Sequence, residues 1–333
     1  MSDTPRIMPD HPRPRTGIDA RLRTALRYTT VVAASSAMAV FGFTGVASAD
    51  PAPEAGESTT TAGPSGPPGP DVLDVAHRGA SGYAPENTLV AIEVAAELGA
   101  STIETDVQRT ADGELIFMHD EDLTRTTDVE EVFPDRDSYD VADFTMEEIS
   151  KLDAGSWFDE EFAGEPVPTL QEGLDLMKDL HLGFLLEIKE SELHPGIEED
   201  VAEVIHDNPW FLAPGSLPGK PGYDRLAIQD FNWDVVESSR ELYPDHVPHG
   251  LLGIVPEDEL EDYAWADQVN PNHAQIDGDY VEAVQDAGME VHVYTVNEPE
   301  DMERAIDMGV DGVITDYVDV LLEILDGSQA PAV

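Results

Sequence analysis

Residues 102–120 read TIETDVQRTADGELIFMHD. Two strand-like runs, 102–110 and 114–119, are separated by little more than Asp112-Gly113. Parallel strands need a crossover of about a dozen residues or more, so these two runs must pair antiparallel. Asp-Gly between such runs predicts a two-residue hairpin turn. With Ala111 opposite Glu114, that turn sets Asp106 opposite His119, Cβ atoms about 5 Å apart on one face. Glu104 shares the face of Asp106, because side chains two apart on a strand point the same way.

Elsewhere strand runs alternate with helical runs. Strands are predicted at 72–77 (VLDVAH), 102–107, 183–188 (GFLLEI), 226–231 (LAIQDF), 251–255 (LLGIV), 268–271 (QVNP), 291–296 (VHVYTV) and 312–316 (GVITD). Amphipathic helical patterns fall at 88–98, 170–180, 233–242 and 299–308. Eight strands in this alternation predict the α/β class and a parallel (β/α)8 TIM barrel, with an antiparallel hairpin after strand 2. An open doubly wound sheet competes, but no glycine-rich dinucleotide loop follows the first strand. Residues 120–168 exceed an ordinary connection and predict a lid-like insertion at the barrel mouth.

The chain has 333 residues, a formal charge of −53 and no cysteine. Its N-terminus carries six arginines, an apolar run from Val31 to Val46 and Ala47-Ser48-Ala49. That pattern predicts a signal peptide over 1–49, cleaved near Ala49, and a secreted or periplasmic protein. An uncleaved membrane anchor is the competing reading of the same run. Residues 50–70, rich in Pro, Gly and Thr, read as a disordered linker and 328–333 as a tail. The remainder, 71–327, matches the roughly 250 residues of one barrel domain. Without the leader, 11 basic and 67 acidic residues remain. Such a surface repels nucleic acid and anionic lipid, which excludes both as stable partners. Without cysteine, no disulfide or lipid anchor on sulfur is available, so core burial alone must hold the fold.

Barrel sites form where strands end at the C-terminal face. His77 and Arg78 end the first strand, Glu104 and Asp106 the second, and the hairpin returns His119 beside them. The third barrel strand adds Glu187 and Lys189 on one face. Three converging carboxylates suit a hard divalent cation, Ca²⁺ or Mg²⁺, rather than zinc. Adding the cation, Arg78 and Lys189 leaves one positive charge, the complement of a phosphodiester. Two histidines supply proton transfer near neutrality. Histidines 181, 194, 206, 246, 249, 273 and 292 read as structural.

In combination, AHRGASGYAPENT (76–88), residues 103–120, LEIK (186–189), VYTVN (293–297) and GVDGVITDY (309–317) resemble the glycerophosphodiester phosphodiesterase family. The insertion and Tyr294 resemble its secreted branch. The resemblance implies metal-dependent cleavage of glycerophosphodiesters, small-molecule substrates, to sn-glycerol 3-phosphate and an alcohol. It implies His77 and His119 as the acid–base pair, Glu104, Asp106 and Glu187 as metal ligands, and Arg78 and Lys189 on phosphate. Glu86 and Asn87 become supporting polar residues, Phe231 and Tyr294 a wall for glycerol, and Ca²⁺ is favoured over Mg²⁺. A sphingomyelinase D-like or phosphoinositide-type phospholipase is the alternative, but VFPDRDSYDVADF (132–144) is too acidic for a membrane-docking rim. A catalytically silent metal- or phosphate-binding exoprotein is a second alternative, against which the paired histidines argue.

The acidity points to a halophilic setting and to stability limited by self-repulsion. The melting temperature should rise between dilute buffer and about 2 M KCl, where screening is complete over a few ångströms. An unchanged value would remove the case for salt adaptation.

Overall fold

The structure, a computed structural model, describes residues 72–214, 217 and 223–328. The leader, the linker and most of the tail lie outside the described residues. The chain begins with β1 (Leu73–His77), α1 (Leu89–Leu98), β2 (Thr102–Arg109) and β3 (Leu115–Phe117). Short helices α2 (Val129–Val132) and α3 (Met146–Ile149) follow within the insertion. Then come α4 (Leu170–Leu180), β4 (Gly183–Ile188), α5 (Ile197–His206), β5 (Leu226–Asp230), α6 (Trp233–Arg240) and β6 (His249–Leu252). The last part holds α7 (Leu260–Tyr263), β7 (Gln268–Asn270), α8 (Gly278–Asp286), β8 (Glu290–Val293), α9 (Pro299–Asp307), β9 (Gly312–Thr315) and α10 (Val318–Ser328). Among the described residues no helix is long and apolar enough to cross a membrane.

Strands β1, β2 and β4 to β9 pair in parallel, and the β1–β2 and β1–β9 ladders close them into the expected barrel. Period-two alternation divides each strand. Ala76, Ile103, Val107, Phe184, Leu186 and Ile228 face the helices and join the larger core with Ile92, Leu174 and Val201. Leu73, Val75, Leu185 and Ile314 form a small separate cluster. This cluster lies on the alternate strand faces, as filled barrel interiors require. His77, Glu104 and Glu187 continue those inward faces toward the C-terminal mouth, which is how the sequence places charge above an apolar plug.

The hairpin differs from expectation by one residue. Val107 pairs with Phe117 and Arg109 with Leu115, so Asp106 pairs across from Met118, whose N–H donates to the Asp106 carbonyl at 3.0 Å. Thr110, not Ala111, closes the ladder by donating to the Glu114 carbonyl, and Gly113 turns at φ +95°. The loop is therefore the three-residue kind that ends in a left-handed glycine. Strand β6 also starts two residues early and ends before Gly253, at φ +105°. Strand β8 stops at Val293, leaving Tyr294 in an isolated bridge to Asn272.

The insertion owns a core of Leu123, Val129, Val141, Phe144, Ile149 and Leu152, packed on Ile116 and Met118 of the hairpin. Strand β4 and strand β3 both meet the stretch of β2 around Val107, so β3 takes the edge that β1 leaves after Glu104. The hairpin thus fastens the insertion to the mouth.

Gly173 in α4 makes one packing requirement testable. A Cβ there would lie 2.2 Å from Cε2 of Phe117, whose ring is fully buried. Alanine gains about 1 kcal/mol of helix propensity over glycine, whereas overpacking a tight core costs about 1–3 kcal/mol. Gly173→Ala should therefore lower the melting temperature, by a few degrees for a domain of this size. An equal or higher value would mean that the ring moves aside at no cost.

Candidate active site

The mouth is built on strained turns. Among the described residues, four other than glycine have positive φ, and three border the site: Arg78 (+55°), Asn87 (+57°) and Glu190 (+49°). Such conformations cost energy and persist where surrounding contacts impose them. At Arg78 the turn aims the backbone N–H at Glu104 Oε2, 2.9 Å away. Asn87 closes the loop by donating its N–H to the Arg78 carbonyl at 3.0 Å, and its amide donates to Asp106 Oδ2 at 2.8 Å. The next residue, Thr88, caps α1 by accepting from the Ala91 N–H.

Register levels the carboxylates: His77 pairs beside Glu104, and Asp106 beside Glu187. Oxygens of Glu104, Asp106 and Glu187 lie within 4.8 Å of one another, and all three residues are buried. Neither Glu104 Oε1 nor Asp106 Oδ1 takes part in a hydrogen bond. Burial and the Asp106 charge push Glu104 up to about 8. Burial would raise Asp106 too, but His119, Arg78, Lys189 and the Asn87 amide hold it well below its ordinary value. Lys189 Nζ donates to Glu187 Oε1 at 2.7 Å and lies 3.7 Å from Asp106, and Arg78 Nε lies 3.3 Å from Asp106. An all-oxygen donor set with buried oxygens left over fits a hard divalent cation.

Both histidines carry a carboxylate on Nδ1, which the sequence reading missed. His77 Nδ1 sits 2.6 Å from Asp316 Oδ1, and His119 Nδ1 sits 2.6 Å from Asp120 Oδ1. Asp316 is buried and also accepts from the Ser81 hydroxyl at 2.9 Å and the Asn297 amide at 2.7 Å. Burial and Arg78 lower the His77 pKa, yet Asp316 and Glu104 outweigh them and hold it above the ordinary value. The signals were present: Asp120 follows His119 directly, and Asp316 comes straight after the last strand within GVITD. His119 leaves the ladder after Phe117, yet it lines one cleft with Glu86 and Asn87 at the mouth.

Glu86 is fixed between two guanidiniums, accepting from Arg78 Nη1 at 2.7 Å and from Arg125 Nη1 and Nη2 at 2.8 Å each. Phe231, half exposed, meets Tyr294 edge to face at 6.1 Å, and Lys189 Nζ lies 5.5 Å from its ring centre. Asp230, unforeseen, is buried at the end of β5, and burial pushes it up to about 7. The remaining histidines make structural contacts. Examples are His206 with the Leu242 carbonyl, His246 with the Leu212 carbonyl and His249 with the Val247 carbonyl.

Residues 77–320 match the model of the glycerophosphoryl diester phosphodiesterase family. The chain belongs to that family. It is 38% identical over 257 residues to a glycerophosphodiester phosphodiesterase of Caldanaerobacter subterraneus subsp. tengcongensis, covering 76% of this chain and 97% of that one. A Bacillus subtilis glycerophosphodiester phosphodiesterase is 36% identical over 270 residues, covering 77% and 87%. The structure of an Oleispira antarctica phosphodiesterase in complex with the product sn-glycerol-3-phosphate is 28% identical. It superposes with a TM-score of 0.65 over 76% of this chain and 96% of that one.

Membership makes this barrel a glycerophosphodiester phosphodiesterase, and its carboxylate triad has a geometry that could hold a metal ion. With Glu104 raised to about 8, a cation that binds the triad at pH 7 should displace a proton. Affinity for Ca²⁺ should climb with pH up to about 8 and then level, because the raised carboxylate is ionised only above that value. Calorimetric titration at pH 7 in two buffers of different ionisation heat should register proton release. Identical heats would contradict a protonated Glu104.

Proposed function

We propose that this enzyme converts glycerophosphodiesters to sn-glycerol 3-phosphate and an alcohol through a cyclic phosphate, with His77 and His119 exchanging the protons. The observation that carries this reading is the pair of Asp-backed imidazoles flanking one buried carboxylate triad. A carboxylate on Nδ1 sets the tautomer and leaves Nε2 available for proton transfer. The product held by the Oleispira antarctica relative agrees with the substrate class. Glu104, Asp106 and Glu187 would hold one divalent cation, Ca²⁺ ahead of Mg²⁺, which supplies charge stabilisation at the phosphoryl oxygens. Arg78 and Lys189 add two positive charges. Asp230, with its pKa at about 7, is largely neutral at mildly acidic pH, so the net charge there still complements a monoanionic diester.

We assign His77 as base, since the buried Asp316 carboxylate raises its proton affinity. It takes the proton of the glycerol 2-hydroxyl as that oxygen attacks phosphorus. The bond from phosphorus to the alcohol breaks, and His119 protonates the departing oxygen. Water then opens the five-membered ring with the roles reversed: His119 takes the water proton and His77 returns its own to the 2-oxygen. An attacking hydroxyl held on the substrate gains the advantage of an intramolecular reaction. Phe231 and Tyr294 would wall the glycerol. The leader supports placing this reaction outside the cytoplasm.

Glycerophosphocholine should yield choline and sn-glycerol 3-phosphate in molar salt with Ca²⁺, and excess chelator should abolish turnover. An analogue with propane-1,3-diol in place of glycerol should bind yet react about a hundredfold more slowly or worse. Hydrolysis of that analogue at the natural rate would mean direct attack by water. Full activity in chelator would remove the metal from the reaction.

A further inference from the structure

The carboxylates behind the two histidines are secured differently. Asp316 is buried and backed by the neutral donors Ser81 and Asn297. Asp120 stands at the rim, with a side chain 28% exposed, one residue beyond the histidine it serves. Its second oxygen, Oδ2, is paired with Nε of Arg125, a residue of the insertion. The same guanidinium uses Nη1 and Nη2 to grip both oxygens of Glu86 at 2.8 Å. Glu86 is 4% exposed, belongs to the barrel, and is tied by Arg78 at 2.7 Å. The Arg125 guanidinium also lies 5.9 Å from the ring centre of Trp157. All three nitrogens of this planar fork are therefore used, on two carboxylates that diverge in direction.

We infer that Arg125 is a positioning residue for the phosphodiesterase reaction: it anchors Asp120 to the barrel through Glu86 and so orients the His119 imidazole. A lysine offers a single ammonium and cannot hold Glu86 bidentately while reaching Asp120. The half-buried His119–Asp120 pair lacks the buried scaffold that His77 has, so its geometry depends on this bridge. The insertion thereby completes the proton-transfer machinery as well as walling the mouth.

This inference rests on the reading of His119 as one of the proton-transfer pair, and a double-mutant cycle separates the two. His119→Ala alone should cost about 10²–10⁴-fold in kcat; full activity would sink the reading of His119 itself. Arg125→Gln should lower kcat about 10–100-fold, the usual effect of losing a residue that orients a functional ligand, with KM little changed. Arg125→Lys should recover only part of the loss. In the His119→Ala background, Arg125→Gln should cost nothing further, because the group it orients is gone. Losses that multiply in the double variant would overturn the inference. So would a raised KM at unchanged kcat, which would place the effect on Arg78 and phosphate binding. Melting curves accompany each variant, and if Arg125→Gln does not fold, Asp120→Asn carries the same cycle from the other side of the bridge.

Discussion

Three carboxylates brought within 4.8 Å of one another in a buried barrel mouth are the constraint around which this protein is organised. Like charges in a low-dielectric site repel strongly, and each loses hydration on burial. The fold answers with Arg78 and Lys189 at salt-bridge distance, a strained backbone N–H on Glu104 and an amide on Asp106. The answer is incomplete, since two carboxylate oxygens remain without hydrogen bonds and Glu104 is pushed up to about 8. A divalent cation, as proposed above, would close that deficit, so the repulsion among the three carboxylates is itself a source of affinity for one. The left-handed backbone at Arg78, Asn87 and Glu190 belongs to this arrangement, because each turn brings a polar group to the mouth or follows one.

Around the triad, charge is arranged in alternating layers. Carboxylates at the centre meet Arg78, Lys189 and the histidines. Those in turn meet Glu86, Asp120 and Asp316, and Arg125 bridges Glu86 and Asp120. Each buried charge has a neighbour of opposite sign, the condition under which buried ions persist. In a chain with only 17 basic residues, the concentration of Arg78, Arg125 and Lys189 at one end of the barrel is a local exception to a strongly acidic surface. Acidic residues prevail over the rest of the chain, while the site keeps its own balance. Helix packing around the barrel, with no cysteine to cross-link it, supplies the rigidity that keeps the triad together.

Much of this was legible in the sequence. Period-two alternation in TIETDV and LLEIK placed Glu104, Asp106, Glu187 and Lys189 on inward faces, because strand geometry converts spacing directly into direction. Alternation of strands with helices determined the barrel. The absence of a crossover before ELIFMH determined an antiparallel hairpin. Its register was not determined, since Asp-Gly is compatible with both two- and three-residue loops and Thr110 decided between them by taking the closing hydrogen bond. The misplaced start of β6 has a similar cause: His249 and Gly250 look like loop residues until the neighbouring strands bury them.

The residues by themselves determined which chemistry was available: two histidines, three acids and two cations at strand ends. Only the tertiary structure decided which acids serve the imidazoles. Asp316 lies 239 positions from His77 and meets it only because β9 closes the barrel against β1. Arg125 meets Glu86 only because the insertion folds back over the mouth. In a chain with 70 acidic residues, composition could not single out Asp316, Asp120 or Asp230. Their roles follow from burial and from the direction of a single oxygen, quantities set by ring closure and by packing between segments far apart in the chain.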